Sequence, residues 1–293
     1  MKLKPVDNKL SLKRYFYLKA MYRYVNRLVN TPFDRCFHFG CNNNTLPPAN
    51  NQVDIVTVAF NNEHVIKLQI KYIRENITDQ KYTFLVADNS NNSEKQSLIQ
   101  RLCKEEGIGY IQLPRFEKEW LKRRGSYSHA TAINWIYYNY ISKRKPAYFA
   151  LLDHDVFPTC PLSIEALTKA QGFYGYRRGE ADGPWFLWPG LLFFRYSFIS
   201  DYKVNFMPCV YDNVYLDTGG SLWKGVYSTL DRGKIQFASF KLVPLAGMGF
   251  DNNSTIEFID GKRWLHSSNA SHWRGDDASD HLIDEIIEKM NKE

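Results

Sequence analysis

The sequence has 293 residues, of which 44% are apolar and 24% are charged, a composition that excludes an intrinsically disordered chain. This length fits one large α/β domain or two small ones. Aromatic residues make up 15% of the chain, which suits a protein with open clefts because aromatic rings offer flat apolar faces with polar edges. The net charge of +7 favours an anionic partner, such as a nucleotide, an acidic lipid surface or a nucleic acid.

The cysteines indicate a reducing compartment. There are five, and no two have a C-x-x-C spacing, so neither a zinc knuckle nor a disulfide framework has support. No signal peptide is recognisable, and no apolar run approaches the roughly 20 residues of a membrane span. We therefore expect a cytoplasmic protein, which leaves peripheral attachment to the inner face of the membrane open.

Residues 1–52 differ from the rest of the chain. Within residues 1–35, apolar and aromatic residues recur at helical spacing, with basic residues between them. Such a basic amphipathic helix can lie on an anionic membrane surface, or it can pack on the neighbouring domain with its lysines solvated. Residues 42–52 are polar and contain prolines, and they read as a linker.

From residue 53 onwards, apolar strands alternate with amphipathic helices. Strands are predicted at 53–60, 82–90, 108–114 and 147–152, and helices at 63–76, 93–107 and 128–141. Ser93 and Gln96 are predicted to form a capping box. This alternation predicts the α/β class, with a mixed, mostly parallel central sheet flanked by helices. The order becomes mixed after residue 160, where a helix near 218–231 and a C-terminal helix at 276–293 are predicted.

Two carboxylates end the strand at 147–152. Asp153 and Asp155 stand one residue apart in "LLDHDVFP", directly after an apolar run. Ligands of such sheets lie at the carboxyl ends of the strands, and carboxylates there can share Mn²⁺ or Mg²⁺ with substrate phosphates. The alternative is an ordinary polar turn. Asp88 ends an earlier strand and is expected at the same edge.

These segments resemble a known family. "VDIVTVAFNN", "FLVADNSNNSE", "RGSYSHATAINWIY" and "LLDHDVFP" are similar to the ordered landmarks of GT-A glycosyltransferases, near family 2 (the bacterial polysaccharide type). The resemblance implies the nucleotide-diphospho-sugar transferase fold. It also implies that Asp88 accepts a hydrogen bond from the nucleobase of the sugar-nucleotide donor, and that Phe60 or Asn61 lines this nucleobase. Asp153 and Asp155 would hold Mn²⁺ or Mg²⁺ against the diphosphate of the donor.

Basic residues and histidines near this edge are candidate donor contacts. Arg124 and His129 lie in the segment before the metal strand, where positive charge and a helix start suit a diphosphate; His129 can equally be an ordinary surface residue. Arg274 is a candidate for neutralising the leaving diphosphate. The resemblance also implies that a C-terminal histidine returns to the metal, with His266 preferred over His272 and a surface histidine as the alternative.

The second half of the chain contains candidate acceptor-binding residues and candidates for the catalytic general base. "WFLWPGLLFFR" reads as an acceptor wall or as core, and we assign Trp188, Gly190 and, further on, Trp223 to the acceptor. By resemblance to inverting GT-A enzymes, Asp217 is the general base, with Asp212 second. The alternative for Asp217 is a helix N-cap.

The sequence therefore predicts a metal-dependent glycosyltransferase, inverting and acting in surface glycan biosynthesis. Its expected partners are a UDP- or GDP-sugar donor, a saccharide or lipid-linked acceptor, and an anionic membrane surface. A nucleic-acid module is disfavoured because the basic residues are spread and no recognition motif occurs; a non-catalytic carbohydrate-binding protein remains an alternative. We expect a catalytic domain at 53–275, divided into a nucleotide-sugar half (53–160) and an acceptor half (161–275).

Overall fold

The computed structural model describes residues 53–113, 125–179, 182–248, 255–267 and 278–292. The predicted N-terminal helix and linker within residues 1–52 lie outside these residues, as do Arg124, His272 and Arg274. Among the described residues, no helix has both the length and the apolar character that crossing a membrane requires.

Twelve strands are assigned among the described residues. They are β1 (Val53–Ala59), β2 (Tyr82–Asp88), β3 (Gly109–Gln112), β4 (Tyr148–Asp153), β5 (Val156–Pro158), β6 (Phe173–Gly179), β7 (Trp185–Arg195), β8 (Cys209–Tyr211), β9 (Val214–Leu216), β10 (Phe240–Pro244), β11 (Thr255–Ile259) and β12 (Trp264–His266). Six of them form a central sheet in the order β3-β2-β1-β4-β7-β6. The first four are parallel, whereas β7 runs antiparallel to both of its neighbours. The predicted fold class is confirmed.

Helices cover both faces of the central sheet. Among the described residues, the α-helices of four residues or more are α1 (Glu63–Asn76), α2 (Ser93–Glu105), α3 (Gly125–Ile136), α4 (Ile164–Lys169), α5 (Tyr196–Ile199), α6 (Leu222–Gly225) and α7 (Ala278–Lys292). On one face, α1 and α2 bury Ile66, Ile70 and Ile99 against β1 and β2. On the other face, α3 buries Ile133 and Ile136. α3 continues through a π-helical turn, Tyr137–Ile141.

A second sheet adjoins the first. Its order is β10-β11-β12-β5, and all of its pairings are antiparallel. One face carries Phe258 and Leu265, which pack against Ile283 and Ile286 of α7. Since only residues 154 and 155 separate the end of β4 at Asp153 from the start of β5 at Val156, the chain passes from one sheet to the other through the acidic pair.

Two local predictions were wrong. The N-cap of α2 is Asn92, whose side chain accepts hydrogen bonds from the N–H groups of Glu94 and Lys95, so Ser93 is the first helical residue. The helix predicted near 218–231 is only the four-residue α6 followed by 3-10 turns, because glycines surround it. The predicted C-terminal helix is present as α7 (Ala278–Lys292), and residues 276 and 277 lie outside the described residues.

Candidate functional site

The register of the central sheet brings the predicted site residues to one edge. Ala59 pairs with Asp88 across β1 and β2, and Val58 pairs with Asp153 across β1 and β4. Parallel strands therefore end at the same level, and the two aspartates lie at the carboxyl edge, where ligands of open α/β sheets bind.

Backbone contacts fix the loop that carries the acidic pair. The Nε2 of Gln69, on α1, donates to the carbonyl oxygens of Asp153 (2.8 Å) and Val156 (2.9 Å). The N–H of Ser267, just after β12, donates to the carbonyl oxygen of Asp155 at 3.0 Å. Residues 154 and 155 do form a turn, but a turn held from two sides also sets where the two carboxylates point.

Asp153 pairs with His129. The Nε2 of His129 lies 3.0 Å from Oδ1 of Asp153, so α3 reaches the end of β4. Burial alone would raise the pKa of Asp153, yet the charge and hydrogen bond of His129 outweigh it and lower that pKa to about 2. Burial disfavours the imidazolium of His129, but Asp153 and then Asp217 raise its pKa above the usual value. Each of the two groups therefore favours the charged form of the other.

Asp155 faces His266. The Nε2 of His266 lies 3.5 Å from Oδ1 of Asp155, and its Nδ1 lies 2.5 Å from Oε2 of Glu257. Although burial lowers the pKa of His266, these two carboxylates raise it to about 10. The pKa of Asp155 is lowered because His266 outweighs burial. The ring of Trp188 packs on His266 with centroids 4.7 Å apart.

The donor set suits a hard divalent cation in its chemistry. Two ionised carboxylates and an imidazole are ligands that Mn²⁺ accepts. Between them, His154 is buried; its Nδ1 lies 3.1 Å from the carbonyl oxygen of Val58, and its Nε2 has no hydrogen-bond partner. Within the described part of the chain, no three His, Cys, Asp or Glu side chains converge on one metal position. In this arrangement each of the two carboxylates faces a histidine.

Asp217 lies beside this cluster. It follows β9 and precedes a turn, and its Oδ1 accepts from the N–H of Thr218 at 2.7 Å. The hydroxyl of Thr218 donates to the carbonyl oxygen of Ser126, at the start of α3, at 2.9 Å. Asp217 is not a helix N-cap, because α6 starts only at Leu222 and Ser221 holds the cap position. The alternative based on capping is therefore wrong, and so is the placement of Asp217 at a helix start.

Asp212 occupies a different setting. It is exposed, and together with Asn213 it forms the two-residue turn between β8 and β9, where both residues have positive φ (50° and 61°). Asp and Asn tolerate this left-handed backbone in two-residue hairpins. The turn accounts for Asp212 without a catalytic role.

The residues predicted to contact the nucleobase of the donor lie at the same edge of the central sheet. Asp88 is fully buried; its Oδ1 accepts from the N–H of Ser90, and its Oδ2 accepts from the hydroxyl of Tyr110 at 3.0 Å. Asn61 has a positive φ of 52° and is tied to the loop after β2 by its side chain. Phe60 keeps 36% of its surface exposed. Of these three residues, Phe60 presents the most open surface to a ligand.

The aromatic strand β7 is core along its length. Its residues from 185 to 194 are buried, and Trp188 is 6% exposed. A Cβ at Gly190 would lie 2.1 Å from Cζ2 of Trp188 and 2.6 Å from Oδ2 of Asp153, so this glycine allows both side chains to approach the strand. Trp223 contacts Tyr211 and Trp185 edge to face. The core reading holds for β7, and Trp188 adjoins the site only through one ring face.

Sequence reasoning missed two residues of this site. Glu257 lies opposite His266 in the β11–β12 ladder, a relation that only the strand register reveals. His154 lies between Asp153 and Asp155, and no role was assigned to it from the sequence. Its position between two carboxylates is the feature of the sequence that indicates a place in the site.

Comparisons with known proteins were made for sequence and structure. No family model matches the sequence, and no curated protein is similar to it. A mannosyltransferase from Pyrobaculum calidifontis, solved with GDP-Man and Mn²⁺, is 13% identical with a TM-score of 0.37; the match covers 64% of this chain and 55% of that one. Core-mannan synthase A from Aspergillus fumigatus, in a Mn/GDP form, is 9% identical with a TM-score of 0.36, over 53% of this chain and 62% of that one.

A third structure is the galactosyltransferase LgtC in complex with donor and acceptor sugar analogs. It is 17% identical with a TM-score of 0.34, and the match covers 49% of this chain and 58% of that one. The matched region thus spans less than two thirds of each of the three known structures.

Proposed function

We propose that this protein is a metal-dependent glycosyltransferase that moves a sugar from a nucleotide-sugar donor to a saccharide or lipid-linked acceptor. The observation that carries the proposal is the pair of ionised carboxylates, Asp153 and Asp155, at the carboxyl edge of β4. Each faces a histidine, and Asp217 stands beside the cluster. Perturbed groups gathered at such an edge are typical of functional sites.

The metal would be held by Asp153 and Asp155, with His266 as the imidazole ligand. A bound Mn²⁺ or Mg²⁺ supplies positive charge to the diphosphate of the donor. Because His266 carries a proton when it pairs with Asp155 and Glu257, its coordination requires loss of that proton. Glu257 would then orient the neutral ring through Nδ1–H, as carboxylates beside metal-bound histidines do.

Asp217 is proposed as the base that takes the proton of the acceptor hydroxyl. A base on the face opposite the diphosphate implies attack from that side, and hence inversion of the anomeric configuration. His129 pairs with Asp153, and the negative charge of Asp217 also raises the pKa of His129. We assign it a positioning role through Asp153.

The donor and acceptor are assigned to opposite sides of β4. Phe60, Asn61 and Asp88, at the ends of β1 and β2, are proposed to line the base of a UDP- or GDP-sugar. Trp188, Gly190 and Trp223 lie in the second half of the chain and are proposed for the acceptor side. Arg124 and Arg274, outside the described residues, remain proposed contacts of the diphosphate. The division into halves at 53–160 and 161–275 follows the same assignment.

Sugar-nucleotide turnover tests the proposal directly. Purified protein is incubated with a panel of UDP- and GDP-sugars in the presence of Mn²⁺, Mg²⁺ or EDTA, and release of the nucleoside diphosphate is measured. We expect release from one donor only with a divalent cation. Sugar binding without any release would instead favour a non-catalytic carbohydrate-binding protein.

Residues 1–35 are proposed to attach the enzyme to an anionic membrane surface, which would place it where surface glycans are assembled. The proposal depends on their basic amphipathic pattern. Full-length protein should sediment with vesicles containing anionic lipid, less so at high salt, and a chain lacking residues 1–35 should not. Equal sedimentation of the truncated chain would exclude this role.

A further inference from the structure

An aromatic surface with one cation extends from the site on the side away from β1 and β2. Its members, which we call the Arg178 shelf, are Tyr176, Arg178, Trp188 and Phe240. The guanidinium carbon of Arg178 lies 4.5 Å from the ring centroid of Trp188 and 5.5 Å from that of Tyr176. Tyr176 and Phe240 are stacked with centroids 4.7 Å apart and an interplanar angle of 16°.

The shelf is continuous with the acidic pair. Trp188 contacts the ring of His266, whose Nε2 faces Asp155. Phe240 pairs with Ile259 across β10 and β11, two residues along from Glu257, so it lies on the sheet face that also carries Glu257 and His266. A continuous series of contacts therefore leads from the acidic pair through Trp188 to Arg178 and Tyr176, and ends at the exposed ring of Phe240.

The shelf has the chemistry of a saccharide site. Phe240 keeps 38% of its surface exposed, which is unusual for a large apolar side chain in this fold. Flat aromatic faces with polar edges suit sugar rings. The guanidinium of Arg178, at the inner end of the shelf, adds a positively charged hydrogen-bond donor to these aromatic faces.

Arg178 is a cation that the described part of the chain leaves without a carboxylate partner. Its contacts there are the rings of Trp188 and Tyr176 and the edge of Tyr176. Arg144, by contrast, forms a two-point ion pair with Asp54. A planar guanidinium that stacks on aromatic rings retains its N–H groups for a carboxylate or a phosphate.

We propose that the Arg178 shelf binds an anionic saccharide as the acceptor, with the carboxylate or phosphate of that saccharide on Arg178. This rests on the proposed function. In the strand order β3-β2-β1-β4-β7-β6, the proposed donor residues end β1 and β2, whereas Arg178 lies on β6, two strands beyond β4. The cation is thus on the acceptor side of the acidic pair rather than beside the nucleotide.

Binding of matched sugars tests the proposal. The probes are methyl glucoside as the neutral sugar, methyl glucuronide and glucose 6-phosphate as its anionic counterparts, and UDP or GDP with Mn²⁺ for the donor site. Affinities are measured by titration of the full-length protein. We expect at least one anionic sugar to bind about tenfold more tightly than methyl glucoside, the effect of one charge-assisted hydrogen-bond pair.

Arg178→Gln should abolish that preference and leave nucleoside-diphosphate binding unchanged. Arg177→Gln is the matched control, because Arg177 is the adjacent residue on β6 but stacks on Phe237, on the other face of the sheet; its anionic preference should persist. Phe240→Ala should weaken all three sugars without changing their ranking, and the melting temperatures of the variants identify any loss of folding.

Three results would overturn the proposal. The first is equal or absent binding of the neutral and anionic sugars to the wild-type protein. The second is a preference for the anionic sugar that survives Arg178→Gln. The third is a loss of nucleoside-diphosphate binding in Arg178→Gln, which would assign Arg178 to the donor site. Failure of the proposed function gives a different pattern. In that case the anionic preference remains, whereas no nucleoside diphosphate binds with Mn²⁺ and no sugar nucleotide is turned over.

Discussion

His129 Nε2 lies 3.0 Å from Oδ1 of Asp153, and this ion pair joins α3 to the acidic end of β4. On the other side of the motif, His266 faces Asp155. The two carboxylates of one short turn thus have separate cationic partners, drawn from a helix and from the second sheet. A divalent cation bound by these carboxylates would therefore compete with the histidines for the same carboxylate oxygens.

Asp155→Asn should remove most metal-dependent nucleotide binding. The substitution keeps the size of the side chain but removes the charge that a divalent cation requires. We expect the affinity for UDP or GDP with Mn²⁺ to fall by about 10–100-fold, with little change in the affinity measured in EDTA. Calorimetric titration checks this, with Asp231→Asn as the exposed control. Unchanged Mn²⁺-dependent binding in both Asp155→Asn and Asp153→Asn would exclude the metal site.

The sequence allowed the edge of the central sheet to be predicted because parallel strands impose it. Buried apolar runs end at Ala59, Asp88 and Asp153, and in a parallel sheet such ends must lie side by side. His266 was found by resemblance alone. The contact of His266 with Asp155 depends on the pairing of β12 with β5, which brings together residues more than one hundred positions apart.

Other parts could not be predicted because periodicity does not encode them. Asp217 precedes glycines, and the sequence around it fits a helix start as well as the turn that forms. Trp188 is an apolar residue that fits an acceptor-binding surface as well as a buried core strand. Only its neighbours in the fold distinguish the two, since β7 lies between β4 and β6 and is covered on both faces.

Gly190→Ala should disturb the site more than the fold at large. The added Cβ would meet Trp188 at 2.1 Å and the carboxylate of Asp153 at 2.6 Å, so one of these side chains must move. Gly225→Ala is the matched control because a Cβ there has no atom within 4 Å. We expect a loss of sugar-nucleotide turnover of about 100-fold for Gly190→Ala, as a 1 Å misplacement of a reacting group produces. Equal turnover of the two variants would contradict the proposed place of Asp153.

Arg144→Met should destabilise the domain strongly. Arg144 donates to both carboxylate oxygens of Asp54, at 2.8 and 3.2 Å, and Asp54 is fully buried. The variant leaves a buried carboxylate without its cation, at a cost of about 3–5 kcal/mol. Lys234→Met removes the exposed pair with Asp231 and should cost less than about 1 kcal/mol. Urea unfolding measures both, and similar costs would show that Asp54 is not dependent on Arg144.

Acid should reveal the pairing of Asp153 in metal-free protein. Because His129 lowers the pKa of Asp153 in the folded state to about 2, below the value of about 3.9 in an unfolded chain, the pair stabilises the fold above that unfolded pKa. Its contribution, about 2 kcal/mol, is lost as the pH falls from about 4 towards 2. Urea unfolding in EDTA should show a stability difference between wild type and Asp153→Asn that shrinks across this range. Parallel pH profiles would contradict the pairing.

Asp217→Asn should separate a base from a binding residue. Asp217 acts on His129 electrostatically and is held by the N–H of Thr218, so an amide of the same shape can retain the turn. General-base catalysis contributes about 10²–10⁴-fold, and turnover should fall by that factor, while the affinities for donor and Mn²⁺ remain nearly unchanged. Asp212→Asn, at the exposed hairpin tip where Asn also tolerates positive φ, should retain full turnover.

The configuration of the product completes this test. If Asp217 removes the proton of the acceptor hydroxyl, that oxygen attacks the anomeric carbon opposite the departing diphosphate, and an α-linked donor gives a β-linked product. NMR coupling constants of the anomeric proton distinguish the two products for gluco- and galacto-configured sugars. An α-linked product from an α-linked donor would rule out Asp217 as the base of a single displacement, whatever the rate of the Asn variant, because retention requires a different arrangement of the reacting groups.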